Sequence, residues 1–245
     1  FCNIIDDDDY SECFDIGNYV SFGISLNELN KNNDVCPFEE TTEYQASDQL
    51  QDVDPDTQFY QIIPNLHNNS NYYDKDLFND RIAELKLSPN LFSLIHFNAR
   101  SMPKNSWSIE QALSELSIEF TVIGVSETWF SDATVDCYGI SDYKSENLYR
   151  VSKTGGGVSL FIREGLEYVR RSDLDIFTED MEAIFIEIDR NIIKTTKNRI
   201  IGTIYRPPNR PVKPFIEAMN LVVSKIRNEH KDADFLGDYN WTYLI

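Results

Sequence analysis

Basic residues, histidine and cysteine are all scarce in this 245-residue chain, and each shortage removes a class of function. There are 22 Lys+Arg against 41 Asp+Glu, a net charge of −19. Taken as a whole, so acidic a chain is a poor electrostatic partner for phosphate backbones. Three histidines and four cysteines, at positions 2, 13, 36 and 137, include no C-x-x-C spacing and no nearby histidine pair. That argues against structural zinc and a disulfide framework, and suits reduced thiols in a nuclear or cytoplasmic protein. No apolar run approaches the ~18 residues that a membrane span needs. Nothing resembles a signal peptide, so the chain reads as not secreted. The glycosylation patterns Asn68-Asn69-Ser70 and Asn240-Trp241-Thr242 then read as accidents. The opening residue is Phe1 rather than Met, which suits a fragment.

What the chain has instead is 41% hydrophobic and 13% aromatic content, enough for a sizeable core. Its charge is unevenly spread. Residues 1–88 hold 19 acids and 4 bases, whereas residues 89–245 hold 22 acids and 18 bases. Residues 1–60 alone carry 15 acids and one lysine, including Asp6-Asp7-Asp8-Asp9, without a sustained apolar period. Four adjacent aspartates read as a solvated tail rather than a metal site, because nothing nearby fixes the converging loop a hard cation requires. The expectation is an acidic, mostly disordered leader over residues 1–74 and a nearly charge-balanced folded domain over residues 75–245. The charge objection to nucleic acid therefore falls mainly on the leader.

Within the domain, Leu77, Ile82 and Leu85 have helical spacing. Leu91–Phe97, Phe120–Val125, Val158–Ile162, Ala183–Ile188 and Arg199–Tyr205 are short apolar runs of strand type. Ser108 followed by Gln111 is a capping-box signature, with Ile109, Ala112, Leu113 and Leu116 as a helical stripe. Pro214 at a helix start introduces Phe215, Met219, Val222, Val223 and Ile226 at a spacing near 3.6. Strands predominate with two helices between them, which predicts an α+β domain with helices packed on a largely antiparallel sheet. No internal repeat is evident.

Polar residues stand at the ends of these apolar runs: Asn98, Glu127, Tyr205, and the pair Asp238 and Asn240. Carboxylates at strand ends, with no lysine beside them, are natural ligands for a hard cation, and Asn or Tyr can donate to phosphoryl oxygens. Each also has a plain structural role open to it. Asn98 could begin a turn, Glu127 could cap a loop, and Asp238 with Asn240 could form an Asx turn. Gly155-Gly156-Gly157 lacks the Lys-Ser/Thr of a phosphate cradle and reads as a turn before a strand. Arg206 reads equally as a phosphate contact or a surface residue. Arg150, Lys153, Arg163, Arg170 and Arg171 form a loosely basic stretch, either a DNA-facing surface or a solvated face. Trp107 and Trp129 read as packing residues.

The combination is more specific than its parts. Phe97-Asn98-Ala99-Arg100-Ser101, Ser126-Glu127-Thr128-Trp129, Gly155-Gly156-Gly157-Val158, Ile204-Tyr205-Arg206-Pro207-Pro208-Asn209 and Gly237-Asp238-Tyr239-Asn240 occur in that order. Together they resemble the endonuclease/exonuclease/phosphatase domain of non-LTR (LINE-type) retrotransposon polyproteins, over about residues 75–240. The resemblance implies the N-terminal part of a four-layer α/β-sandwich that nicks target-site DNA with Mg²⁺ (or Mn²⁺), beside a downstream reverse transcriptase. It implies Glu127 and Asn98 at the metal, and Tyr205, Asp238 and Asn240 as catalytic groups. Arg206, Asn209 and Arg100 become candidate phosphate or DNA contacts.

This chain departs from the family at three points. Arg100 stands where many relatives carry a carboxylate or amide, Tyr239 replaces the commoner Phe, and the later Asp and Ser-Asp-His block is absent. The expectation is accordingly an incomplete domain, inactive or impaired as a nuclease. The rival readings are a catalytically dead remnant that at most binds nucleic acid or protein, and a phosphatase or exonuclease of the same superfamily.

Overall fold

The computed structural model describes residues 2–4, 20–24, 75–85, 92–151 and 155–240. Two short strands, β1 (Cys2–Ile4) and β2 (Val20–Ile24), come from the acidic leader, whose remainder lies outside the described residues. Then follow α1 (Lys75–Leu85), β3 (Ser93–Asn98), α2 (Met102–Ser114), β4 (Val122–Ser126), β5 (Tyr143–Leu148) and β6 (Val158–Arg163). The rest is β7 (Val169–Arg170), β8 (Ile176–Phe177), β9 (Glu182–Ile188), α3 (Arg190–Ile193), β10 (Arg199–Tyr205), α4 (Val212–Asn228) and β11 (Asp232–Asp238).

The strands form two sheets, as the four-layer sandwich implies, where the strand and helix pattern alone suggested one. Their orders are β1-β2-β3-β4-β6-β5 and β11-β10-β9-β7, with β8 also on β9. Most pairings are antiparallel, but β3 runs parallel to β4, and β10 to β11. Each parallel pair is joined through a helix, as parallel strands require a crossover.

The period-2 alternation of these strands explains the layering. Ile95, Phe97, Ile123, Val125 and Phe161 face outward from the first sheet and bury α1 through Phe78 and Ile82, and α2 through Ile109. Leu94, Val122, Leu160 and Ile162 face inward and meet Ile184, Ile186, Ile201 and Leu236 of the second sheet. Ala183, Phe185, Ile200 and Ile204 face outward again, under Phe215, Val222 and Ile226 of α4. Helix, sheet, sheet, helix: the four-layer α+β sandwich holds. Both faces of each sheet are covered, so β9 and β10 are buried along their whole length and read as unbroken apolar runs.

Two local expectations change. Helix α2 begins six residues before Ser108, with Pro103 in its first turn, where a missing N–H costs nothing. The capping-box pattern therefore falls inside the helix, and the Gln111 side chain donates to Glu115 (3.3 Å). On α1 the buried pair is Phe78 and Ile82, while Leu77 is exposed. Strand β5 escaped notice because it is polar (YKSENL) and lies at a sheet edge.

Cys137 is a free, exposed thiol. Among the described residues, no helix is long and apolar enough to cross a membrane.

Candidate active site at one edge of the sandwich

Register places the polar strand ends at one edge. Asn98 pairs with Ser126, and Ser126 with Val158, across the first sheet. Tyr205 pairs with Asp238 on one side and Glu182 on the other across the second. Asn98, Ser126, Glu182, Tyr205 and Asp238 are the terminal inward positions of their strands, so they converge where the two sheets meet. The Asn98 side-chain amide joins the sheets. Its Nδ2 donates to Glu127 Oε1 (3.0 Å) and to Asp238 Oδ2 (2.7 Å), while its Oδ1 accepts the Arg100 N–H (3.2 Å). Asn98 thus presents N–H groups, not oxygen, to the carboxylates.

The loops that carry these groups are tied together by backbone. Ala99 N–H donates to Ser126 O (2.9 Å), Ser101 N–H to Glu127 O (2.8 Å) and Met102 N–H to Thr128 O (2.9 Å). On the other side, Thr128 N–H donates to Gly157 O (3.3 Å) and Trp129 N–H to Gly156 O (2.9 Å). This lattice holds unfavourable backbone. Arg100, Glu127 and Trp129 all have φ between 41° and 52°, in the left-handed region. Such strain persists only where the surroundings over-determine it, and it clusters at functional sites.

Electrostatics single out the same groups. Burial pushes the Asp238 carboxyl up, opposed by hydrogen bonds from Asn240 and Asn98 and reinforced by the charge of Glu127. Burial also raises the Tyr205 phenol, helped by the charges of Glu127, Asp238 and Glu182, so its proton stays on as a donor. One layer beneath, His96 Nε2 lies 3.1 Å from Ser126 Oγ, fully buried.

Other expected site residues are placed differently. Asp238 Oδ1 accepts the Asn240 N–H (3.1 Å), an Asx turn, and Asn240 Nδ2 donates to Arg206 O (2.8 Å). Asn240 is therefore beside Asp238 with one amide hydrogen committed to backbone. Arg206 is not a surface residue. It is 1% exposed and donates to the carbonyls of Tyr239 (2.6 Å), Arg210 (2.7 Å) and Asn240, pinning the loop after β11. Arg100 and Asn209 are exposed on strand-end loops. In the basic stretch, Arg150 pairs with Glu182, Arg170 with Asp175 and Glu146, and Arg171 with Asp173, Glu187 and Glu229. Three of its five cations are thus neutralised within the fold, and Lys153 lies outside the described residues. Trp107 is 70% exposed and packs in no core.

Glu182 went unnoticed in the sequence. It is fully buried, with Oε1 on Arg150 Nε and Oε2 on the Gly157 N–H, both at 2.5 Å. Its signal lay only in register: it is the residue opposite Tyr205. Gly156 and Gly157, both at positive φ, make the approach feasible, since a Cβ on Gly156 would sit 2.7 Å from Glu182 Oε1.

Among the described residues, no three His, Cys, Asp or Glu side chains gather closely enough to hold a metal by themselves. Two carboxylates, Glu127 and Asp238, do meet across one amide. That donor set is all hard oxygen, and Mg²⁺ uses one or two carboxylates with waters and substrate phosphate for the rest.

The sequence matches no protein-family model and no curated protein. Solved structures do resemble the chain. A humanized D. rerio TDP2 with 14 mutations has a TM-score of 0.45 and 13% identity, over 62% of this chain and 63% of that one. The human Nocturnin catalytic domain with bound sulfate has a TM-score of 0.41 and 13% identity, over 59% and 62%. An endonuclease/exonuclease/phosphatase family protein from Bacteroides thetaiotaomicron has a TM-score of 0.45 and 14% identity, over 61% and 62%. Less than two thirds of each of those chains is spanned.

Proposed function

We propose that this chain is a metal-dependent phosphodiesterase of the endonuclease/exonuclease/phosphatase type, and specifically the DNA-nicking domain of a non-LTR retrotransposon. The observation that carries this reading is the Asn98 amide bridging Glu127 and Asp238 from two different sheets. The five motif blocks, Tyr205-Arg206-Pro207-Pro208-Asn209 above all, favour the retroelement branch over a phosphatase or exonuclease. The partner is target-site DNA, and a reverse transcriptase downstream in the polyprotein would extend the 3′-hydroxyl left by the nick.

Glu127 would hold Mg²⁺ (or Mn²⁺), with Asn98 orienting its carboxylate. The ion, when bound, supplies positive charge to the non-bridging phosphate oxygens. Asp238, its carboxyl raised by burial, accepts a proton from the attacking water. Tyr205 donates from its phenol toward charge building on the phosphate, and Asn240 would contact the same phosphate from beside Asp238. A new P–O bond forms to the water oxygen, the P–O3′ bond breaks, and O3′ takes a proton from solvent.

A second reading has its own support. Among the described residues no imidazole joins the cluster: His96 is buried on Ser126, and His230 is exposed beyond α4. A chain that binds metal and DNA without turnover would fit that arrangement. Supercoiled plasmid with Mg²⁺ separates the two. Nicking that falls at least ~100-fold in Glu127→Gln, with plasmid binding retained, supports the nuclease. Equal nicking by both proteins removes Glu127 from the mechanism, and binding without nicking leaves the second reading standing. Nicking should rise with pH as Asp238 loses its proton at its elevated pKa.

A further inference from the structure

We propose that Glu182 is a positioning residue for this site: it clamps the glycine hairpin between β5 and β6, and the hairpin in turn sets the loop that presents Glu127. The purpose of that loop rests on the phosphodiesterase reading; the mechanical coupling does not.

A buried carboxylate is costly unless paired and hydrogen-bonded. The other inward positions of β9 are Ile184, Ile186 and Ile188, so packing alone would be met by another aliphatic residue. Glu182 instead uses one oxygen for Arg150 and the other for the Gly157 N–H. Both ends of the hairpin are thereby fastened to the second sheet. Arg150 follows β5, and Gly157 precedes β6.

The far side of the same hairpin faces Glu127. The carbonyls of Gly156 and Gly157 accept from Trp129 and Thr128, the two residues after Glu127. Glu127 and Trp129 are both non-glycine residues at φ 52°. A loop with two such residues needs support from each side. The β3–α2 turn supports it through Ser101 and Met102, and the hairpin supplies the rest. Gly156 cannot be larger, because a Cβ there would meet Glu182 Oε1 at 2.7 Å and Arg150 Cζ at 2.8 Å. A Cβ on Gly157 would collide with Thr128 Oγ1. Glu182, the glycines and the Glu127 loop are thus in direct contact as one stack. Burial raises the Glu182 carboxyl, opposed by the Gly157 N–H and Arg150, with the Glu127 charge adding to the rise.

The test uses the whole chain and the Glu182→Gln substitution, which keeps shape but cannot accept on both atoms. Amide hydrogen exchange at Thr128 and Trp129 should accelerate about tenfold or more, with exchange in β9 and β10 unchanged. Mg²⁺-dependent plasmid nicking should lose kcat by about 10- to 100-fold while KM changes less than about threefold. Glu182→Asp, which keeps the charge and withdraws it by one methylene, should fall between the two proteins, and it replaces Glu182→Gln if that variant does not fold. Unchanged exchange at Thr128 and Trp129 overturns the coupling whatever the activity. Faster exchange with full nicking, while Glu127→Gln is inactive, overturns the positioning role alone. A fully active Glu127→Gln removes Glu127 from the mechanism, and with it the catalytic purpose of the clamp.

Discussion

Burial holds the His96 imidazole neutral, its pKa pushed down to about 3. An unfolded chain takes up this proton below about pH 6.5, the folded one only near 3, so the unfolded state binds more protons between those values. Stability therefore drops as pH falls through that window, by about 2 kcal/mol from pH 7 to pH 5 on account of this residue. His96→Gln, which can still reach Ser126, should lose about 2 kcal/mol less than the parent over the same interval when urea unfolding is compared at the two pH values. At this scale the sequence was uneven in what it disclosed. Asn98, Glu127, Tyr205 and Asp238 were legible because each ends an apolar run at its polar terminus. Glu182 begins such a run, and its partner Arg150 lies 32 positions away, so only strand register reveals it. Arg206 was misjudged because its burial is decided by carbonyls of a segment more than 30 residues on.

Among the elements, α4 follows most directly from the sequence. Phe215, Val222 and Ile226 are buried against the second sheet, and Leu221 is 74% exposed. Ile226→Ala should destabilise the protein by roughly 2–5 kcal/mol in chemical denaturation, whereas Leu221→Ala should change it by under about 0.5 kcal/mol. Similar losses from both would place the buried face elsewhere. The element pattern also repeats in a way the residues hide. Strand β3 pairs antiparallel with β2 and parallel with β4 after α2; β10 pairs antiparallel with β9 and parallel with β11 after α4. The two units share strand pairing and a helical crossover without shared residues, because each apolar face needs only hydrophobicity at the right period. The start of α2 and the whole of β5 were hidden for the opposite reason: Pro103 and an edge position outweighed the local patterns.

At the scale of the molecule, the net charge of −19 weighs less against DNA than it first does, but the cations do not form a free basic face either. The network of Arg171, Lys225 and Lys231 with Asp173, Glu187 and Glu229 ties down the end of the sandwich away from the candidate site. It holds Arg171 charged, pulls Asp173 well below the usual carboxylate range and lowers Glu229 through hydrogen bonds from Arg171 and Lys231. Many cations of the described residues are thus committed internally, which limits what remains for phosphate. Duplex binding, followed by fluorescence anisotropy between 50 and 200 mM salt, should show a log–log slope no steeper than about −3, the mark of some three phosphate contacts. A slope near −6 would mean about twice as many phosphate contacts and would overturn this expectation.

The repeated units have one more consequence. Glu127 follows β4 and Asp238 ends β11, equivalent strands of the two units, and the Asn98–Asp238 bond spans 140 residues of chain. Neither unit alone owns both Glu127 and Asp238. During folding, each could acquire its strands and helix from local contacts, yet the pair comes into being only when the sheets dock face to face. On the proposed reading, cation affinity would be an emergent property of that last encounter. It would arise late in refolding and vanish with the first slip between the layers.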